Sequence, residues 1–228
     1  MKENHLKVDT ENTYLARAPR FRLQGEFIRD NALAVSGLLN PKMGGPGVKP
    51  YQPPGLWAEV GLSGRPIFKR DEGEKLYRRS IYSYWKRSAP PPNMQIFDAP
   101  TREKCTVVRA RTNTPLQALV LLNDVQYVEA ARRFAVRILQ ESSANDDKRL
   151  NYAFMLALAR EPSFNEQEVL LDLLNQSRSI YANDQAAAKE LLSHGEAPNP
   201  SEYAPEEQAA WTIIASTILN LDEVINRN

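Results

Sequence analysis

Proline and glycine are concentrated in one stretch of the chain: 10 of the 16 prolines and 7 of the 10 glycines fall between Pro41 and Pro100. Proline lacks an N–H to give a helix or a ladder, and glycine gives up more backbone freedom on ordering than any other residue. Regular structure therefore does not run far through such a stretch. The pattern predicts a long irregular segment set between parts with helical period.

Before that segment, Ile28, Ala32, Val35 and Leu39 recur at the spacing of one helix face, and Asn40-Pro41 is expected to stop the helix. After it, Thr114 or Asn113 is placed to cap a helix whose first residue is Pro115, with Leu116, Leu119 and Val120 on its inner side. Asn123-Asp124 offers a stop and a new cap, and Val128, Ala131, Ala135 and Ile138 continue at helical spacing. Asp146 or Asp147 opens a helix through Leu150, Phe154, Ala157 and Leu158 that ends near Glu161-Pro162. Ser163-Phe164-Asn165-Glu166 matches a capping box, followed by Val169, Leu170, Leu173 and Leu174 facing inward. A short helix is expected from Gln185 to Leu192. Pro205 begins the last one, in which Trp211, Ile214, Ile218 and Leu221 share a face. Ser80–Trp85 and Cys105–Val108 hint at strands that could pair as a hairpin across Pro90-Pro91-Pro92, with a helix the other possibility for the first. The expected class is mainly α: a helical domain with a long Pro/Gly-rich irregular segment and at most a small β-hairpin. We read 1–228 as a single domain, with a helical entry over 1–40, an irregular basic and aromatic segment over 41–111 and a helical bundle over 112–228.

Lys and Arg total 29 against 28 Asp and Glu, a formal charge of +1 that argues against a dedicated nucleic-acid binder. The balance hides an asymmetry. Residues 1–68 carry +3, 69–111 carry +6, 112–140 carry +1 and 141–228 carry −9. Either the basic and acidic segments face each other or they face different partners, and a solvated acidic face on the last helices explains the second as simply. His5, His194 and Cys105 are the only residues of their kinds, so this chain alone supplies no zinc site of the usual Cys/His type, no internal disulfide and no C-x-x-C-H haem attachment. Both histidines are expected at the surface, and Cys105 as a buried small apolar residue. No signal-peptide-like run or membrane-length apolar window occurs; read as starting at Met1, the chain is a soluble cytoplasmic one.

Chemistry concentrates in two places. From Arg109 to Asp124 the sequence puts Arg109 and Arg111, with Thr112, Asn113 and Thr114, at the start of a helix. Free amides, the positive helix end and guanidinium groups together suit a sulfate, phosphate or carboxylate. The other reading is a capped helix whose arginines pair with Asp98 or Glu103. The second place interleaves Lys75, Arg78, Arg79, Lys86 and Arg87 with Tyr77, Tyr82, Tyr84 and Trp85, flat rings beside cations that suit sugars or unpaired bases, or else ordinary core. For acid–base work Asp98, Glu103 and Asp124 are the carboxylates that could converge, Asp98 and Asp124 foremost. Asp98 equally serves to close a turn or pair Arg102.

These segments resemble a known family. Leu76–Arg87, Ala89-Pro90-Pro91-Pro92, Phe97-Asp98-Ala99-Pro100, Thr112-Asn113-Thr114-Pro115-Leu116-Gln117 and Leu122-Asn123-Asp124 are similar to the C-terminal domain, of unknown function, of large planctomycete-type proteins that carry a cytochrome c domain. Ile28-Arg29-Asp30, Met43-Gly44-Gly45-Pro46 and Trp211-Thr212 agree. The resemblance implies haem c on a separate N-terminal domain rather than in this chain, contact with that protein's other domains, and an exported or periplasmic setting. Two functions follow as expectations. One is a non-catalytic binding or assembly module touching anionic polysaccharide through Arg79, Tyr82, Tyr84, Trp85, Arg109, Arg111, Asn113 and Thr114. The other is a catalytic domain, either a carboxylate-based glycan hydrolase or the substrate half of a haem-linked oxidoreductase. Nucleic-acid binding is the weakest expectation.

Overall fold

The computed structural model describes residues 8–15, 20–61, 67–142, 145–199 and 202–227; His5 lies outside them. A short strand β1 (Phe21–Arg22) leads into α1 (Gly25–Val35). Among its described residues, the irregular segment holds only α2 (Leu56–Glu59), two 3-10 turns (Gly73–Tyr77 and Ser80–Tyr82) and α3 (Pro92–Ile96). Then come α4 (Pro115–Asn123), α5 (Val125–Glu141), α6 (Asp146–Leu158), α7 (Phe164–Asn183), α8 (Gln185–Ser193), α9 (Pro205–Leu219) and α10 (Asp222–Ile225), closed by β2 (Asn226–Arg227). The protein is mainly α. The one sheet among the described residues is the antiparallel pair β1–β2, with Phe21 opposite Arg227 and Arg22 opposite Asn226.

The core lies where α9 packs on α5 and α7. Trp211, Ile214 and Ile218 of α9 are fully buried with Phe134 and Ile138 of α5, Leu150 and Phe154 of α6 and Leu174 of α7. Alanines fill other inward positions of α5 and α9 (Ala130, Ala131, Ala135, Ala210, Ala215), small side chains that allow close packing. Burying each large side chain contributes about 1.5–3 kcal/mol, so this helical layer is the main source of stability.

Several boundaries follow the sequence signals. Asp124 caps α5 by accepting from Gln126 N–H at 3.0 Å, and Ser163 and Glu166 form the reciprocal capping box of α7. Others differ. Helix α1 stops at Val35, before Leu39, because Gly37 takes φ +76° and closes a Schellman turn. In that turn Leu38 N–H donates to the Leu33 carbonyl at 2.9 Å, and Gly37 N–H to that of Ala34 at 3.1 Å. The cap of α6 is Asn145, whose side chain accepts from Lys148 N–H, while Asp146 and Asp147 occupy the first turn. The inner face of α4 is Gln117 and Leu121; Leu116 and Leu119 are each 53% exposed. Val169 also points outward.

The expected hairpin is absent. Ser80–Tyr82 forms a 3-10 turn because Asp30 Oδ1 takes the Ser80 N–H at 2.7 Å and Arg29 Nη1 donates to the Ser80 hydroxyl at 3.1 Å. Ser83 then bridges to Val48 instead. Cys105–Val108 has β-branched residues but no strand beside it, and Val107 is 98% exposed. Cys105 is likewise exposed, in the uncovered loop after Pro100, and not buried as its residue type suggested.

Candidate functional site

Arg29 shows how the irregular segment is held to the helices. It is fully buried on α1, donating from Nε to Gln126 of α5 (2.6 Å) and through both terminal nitrogens to the carbonyls of Leu76 (2.6 Å) and Arg78 (2.7 Å). Arg78 in turn donates to the carbonyls of Lys42, Gly44 and Pro46 and stacks on Tyr82 at 3.8 Å. The Gly-rich loop thus wraps one of the chain's own guanidinium groups. A second such tie is Glu129 on α5, 1% exposed, whose Oε1 accepts from the Tyr77 hydroxyl (2.8 Å) and from Glu196 and Ala197 N–H (2.6 Å each). Burial, with the Glu129 carboxylate beside it, pushes the Tyr51 phenol up to about 12.

The aromatic strip is engaged in the same scaffold. Tyr82 accepts from Gly44 N–H at 2.7 Å. Tyr84 lies 5.8 Å from Trp57, with Lys49 near both rings. Trp85 Nε1 donates to the Thr101 carbonyl at 3.1 Å, and Arg102 stacks on its ring at 4.5 Å. Arg79 sits 3.9 Å from Asp30. Cations and rings largely satisfy each other, although Tyr84 remains exposed.

The start of α4 is different. Thr114 is the N-cap residue in extended conformation, but neither it nor Asn113 makes the expected side-chain cap. Thr112, Asn113 and Thr114 are exposed. Arg109 pairs at 2.9 Å with Glu26 of α1, not with Asp98 or Glu103. Arg111 stacks on Phe21 of β1 at 4.7 Å and has no carboxylate within ion-pair distance among the described residues. Beside it opens a cleft of about 430 Å³, lined by Arg20, Arg22, Arg111, Thr112, Asn113 and Asp222 among others. No hydrogen bond, ion pair or ring contact among the described residues joins this cleft to the aromatic strip.

The candidate carboxylates are occupied. Asp98, at φ +60°, accepts from Thr112 N–H (2.7 Å) and Thr112 Oγ1 (2.9 and 3.0 Å), holding the loop that carries Arg111; it does not pair Arg102. Asp124 caps α5; burial holds its carboxyl above the usual range, offset by the Gln126 amide and Arg29. The two acids are not brought together by any bond among the described residues. His194 is exposed just past α8, and no group of three His, Cys, Asp or Glu among the described residues is arranged to hold a metal ion. No helix among them is long and apolar enough to cross a membrane.

The residue that organises the cleft, and that the sequence reading passed over, is Gln117. Buried at 1% exposure, it accepts from Arg22 Nη1 (2.8 Å) and donates to the Ile96 carbonyl (2.9 Å) and Thr112 Oγ1 (3.1 Å). A lone amide inside an otherwise apolar helical run, Leu116–Leu122, was the signal for it. Over residues 1–174 the sequence matches the model of the family described as PSD1, protein of unknown function (DUF1553). No curated protein and no solved structure matches the chain.

Proposed function

The chain belongs to the PSD1 (DUF1553) family, whose function is unknown, and from that premise we propose that it is a non-catalytic binding module that contacts anionic polysaccharide at the cleft beside the start of α4. The observation that carries the reading is Arg111, a guanidinium with no acid partner among the described residues, lining an open cleft of about 430 Å³ together with Arg20, Arg22 and the exposed Thr112 and Asn113. Tyr84 supplies an exposed ring elsewhere on the surface. A catalytic role for Asp98 or Asp124 has less support, since each carboxylate is engaged in holding its own loop or helix. As part of the same proposal, the resemblance to the C-terminal domain of cytochrome c-bearing planctomycete-type proteins supports an exported module with haem c on a separate N-terminal domain.

Isothermal titration at low ionic strength with a polyuronate and with dextran sulfate tests the binding. The parent is expected to bind at least one polymer, with affinity falling as salt is raised. Arg111→Ala is expected to weaken it about tenfold, the size of one charge-assisted contact. Failure of the parent to bind either polymer at low salt removes the reading.

A further inference from the structure

Arg22 is 9% exposed, yet no carboxylate lies within ion-pair distance of it among the described residues. Its one hydrogen bond runs from Nη1 to the neutral amide of Gln117 at 2.8 Å. Burial pulls its basicity down, Asp98 offsets this at longer range, and the neighbouring Arg20 adds to the cost. The other Arg22 guanidinium nitrogens have no hydrogen-bond partner among the described residues, and the side chain lines the cleft, where they are free to donate charge-assisted hydrogen bonds to a negative group. The cleft it lines, with Arg20 and Arg111, is where such a group can come. One is already present nearby: the Asp222 carboxylate pairs with Arg20 at the cleft edge, itself held by Asn226 Nδ2 at 2.7 Å.

We propose that this cleft is an oxyanion site in which Arg20, Arg22 and Arg111 are the binding residues, and that Asp222 is an intrachain carboxylate standing on Arg20 where the ligand's own oxyanion binds. The inference rests on the polysaccharide reading and deepens it. The ligand group is a carboxylate, as on a uronic acid, or the sulfate ester that presents the same oxygens, and binding displaces Asp222 from Arg20. Arg20 and Asp222 are both half exposed, so the exchange is between weakly held partners.

The test is a double-mutant cycle read by titration with polyuronate and with dextran sulfate at low ionic strength. Asp222→Asn is expected to tighten binding about two- to fivefold, the size of an exposed ion pair. In the Arg20→Gln background the same change is expected to give no gain. Glu223→Gln, which alters net charge equally one residue away, is expected to leave affinity within the error of the parent. A gain of equal size from Glu223→Gln, or one that persists without Arg20, reduces the effect to general field and overturns the inference. So does an Asp222→Asn protein that binds no better than the parent, and in both cases parental binding leaves the polysaccharide reading standing. Absence of binding by every protein to both polymers removes both. The ratio between the two polymers tells carboxylate from sulfate.

Discussion

Gly195 shows what a single hydrogen in place of a methyl allows. It sits at φ +89° with its Cα facing Glu129, and an added Cβ would overlap that side chain's carboxyl carbon. The loop from Gly195 to Ala197 closes over Glu129 only because nothing projects there, which lets two amides donate to Oε1. Gly195→Ala combines left-handed strain with overlap and is expected to cost about 3 kcal/mol in urea unfolding. Gly55→Ala, at φ +82° with open space around it, carries strain alone and is expected to cost about 1 kcal/mol. Equal losses at the two sites would show that the contact with Glu129 contributes nothing. None of this is visible in residue types. Arg29, Glu129 and Gln117 carry polar labels that ordinarily mean surface, and their burial depends on partners from distant parts of the chain. Of the cleft residues, Arg111 and Asn113 were legible from the sequence because they crowd a helix start. Arg20, Arg22 and Asp222 were not, because only the closed fold brings them beside it.

Among the helices, α7 has the most complete N-terminal signal, and it carries a pH dependence. The Arg160 guanidinium, first, and then the Ser163 amide and hydroxyl hold the Glu166 carboxyl down at about 2, against 4.5 for the free group. Because the folded value lies below the unfolded one, the stabilisation is complete above about pH 4.5 and is lost as pH falls toward 2. Melting temperatures of the parent and Glu166→Gln are expected to differ most near neutrality and to converge as pH approaches 2; a constant gap would remove this account. Helix starts at Pro115, Ser163 and Pro205 were readable because caps and N1 prolines are local chemistry. Which face of α4 turns inward was not. Its leucines outnumber the positions the core offers, and the buried side is chosen by the hydrogen bonds of Gln117.

At the scale of the molecule, the helices of the core bury a continuous apolar cluster that Phe97 joins, whereas the stretch Leu76–Ser80 is tied to the helices by side-chain bonds to Arg29, Asp30 and Glu129. Native-state hydrogen exchange in mild denaturant is therefore expected to open residues 41–61 and 67–71 well before Ala130–Leu139 and Trp211–Ile218. Exchange of all these amides in one step would show that the two parts are not separable in stability. The charge asymmetry was legible, but not its outcome. Acids of the last helices pair largely with arginines of their own region, Arg149, Arg160 and Arg178, and Arg70–Glu196 is the ion pair that crosses to the basic segment among the described residues.

The antiparallel match of Phe21–Arg22 with Asn226–Arg227 spans nearly the whole sequence. Arg20 and Arg22 enter the cleft from the β1 side, and Asp222 and Asn226 from the β2 side, so the cleft is complete only once these two distant segments have paired. If the cleft binds as proposed, cutting the chain before Asp222 would leave most helices in place while removing the side of the cleft that Asp222 and Asn226 supply.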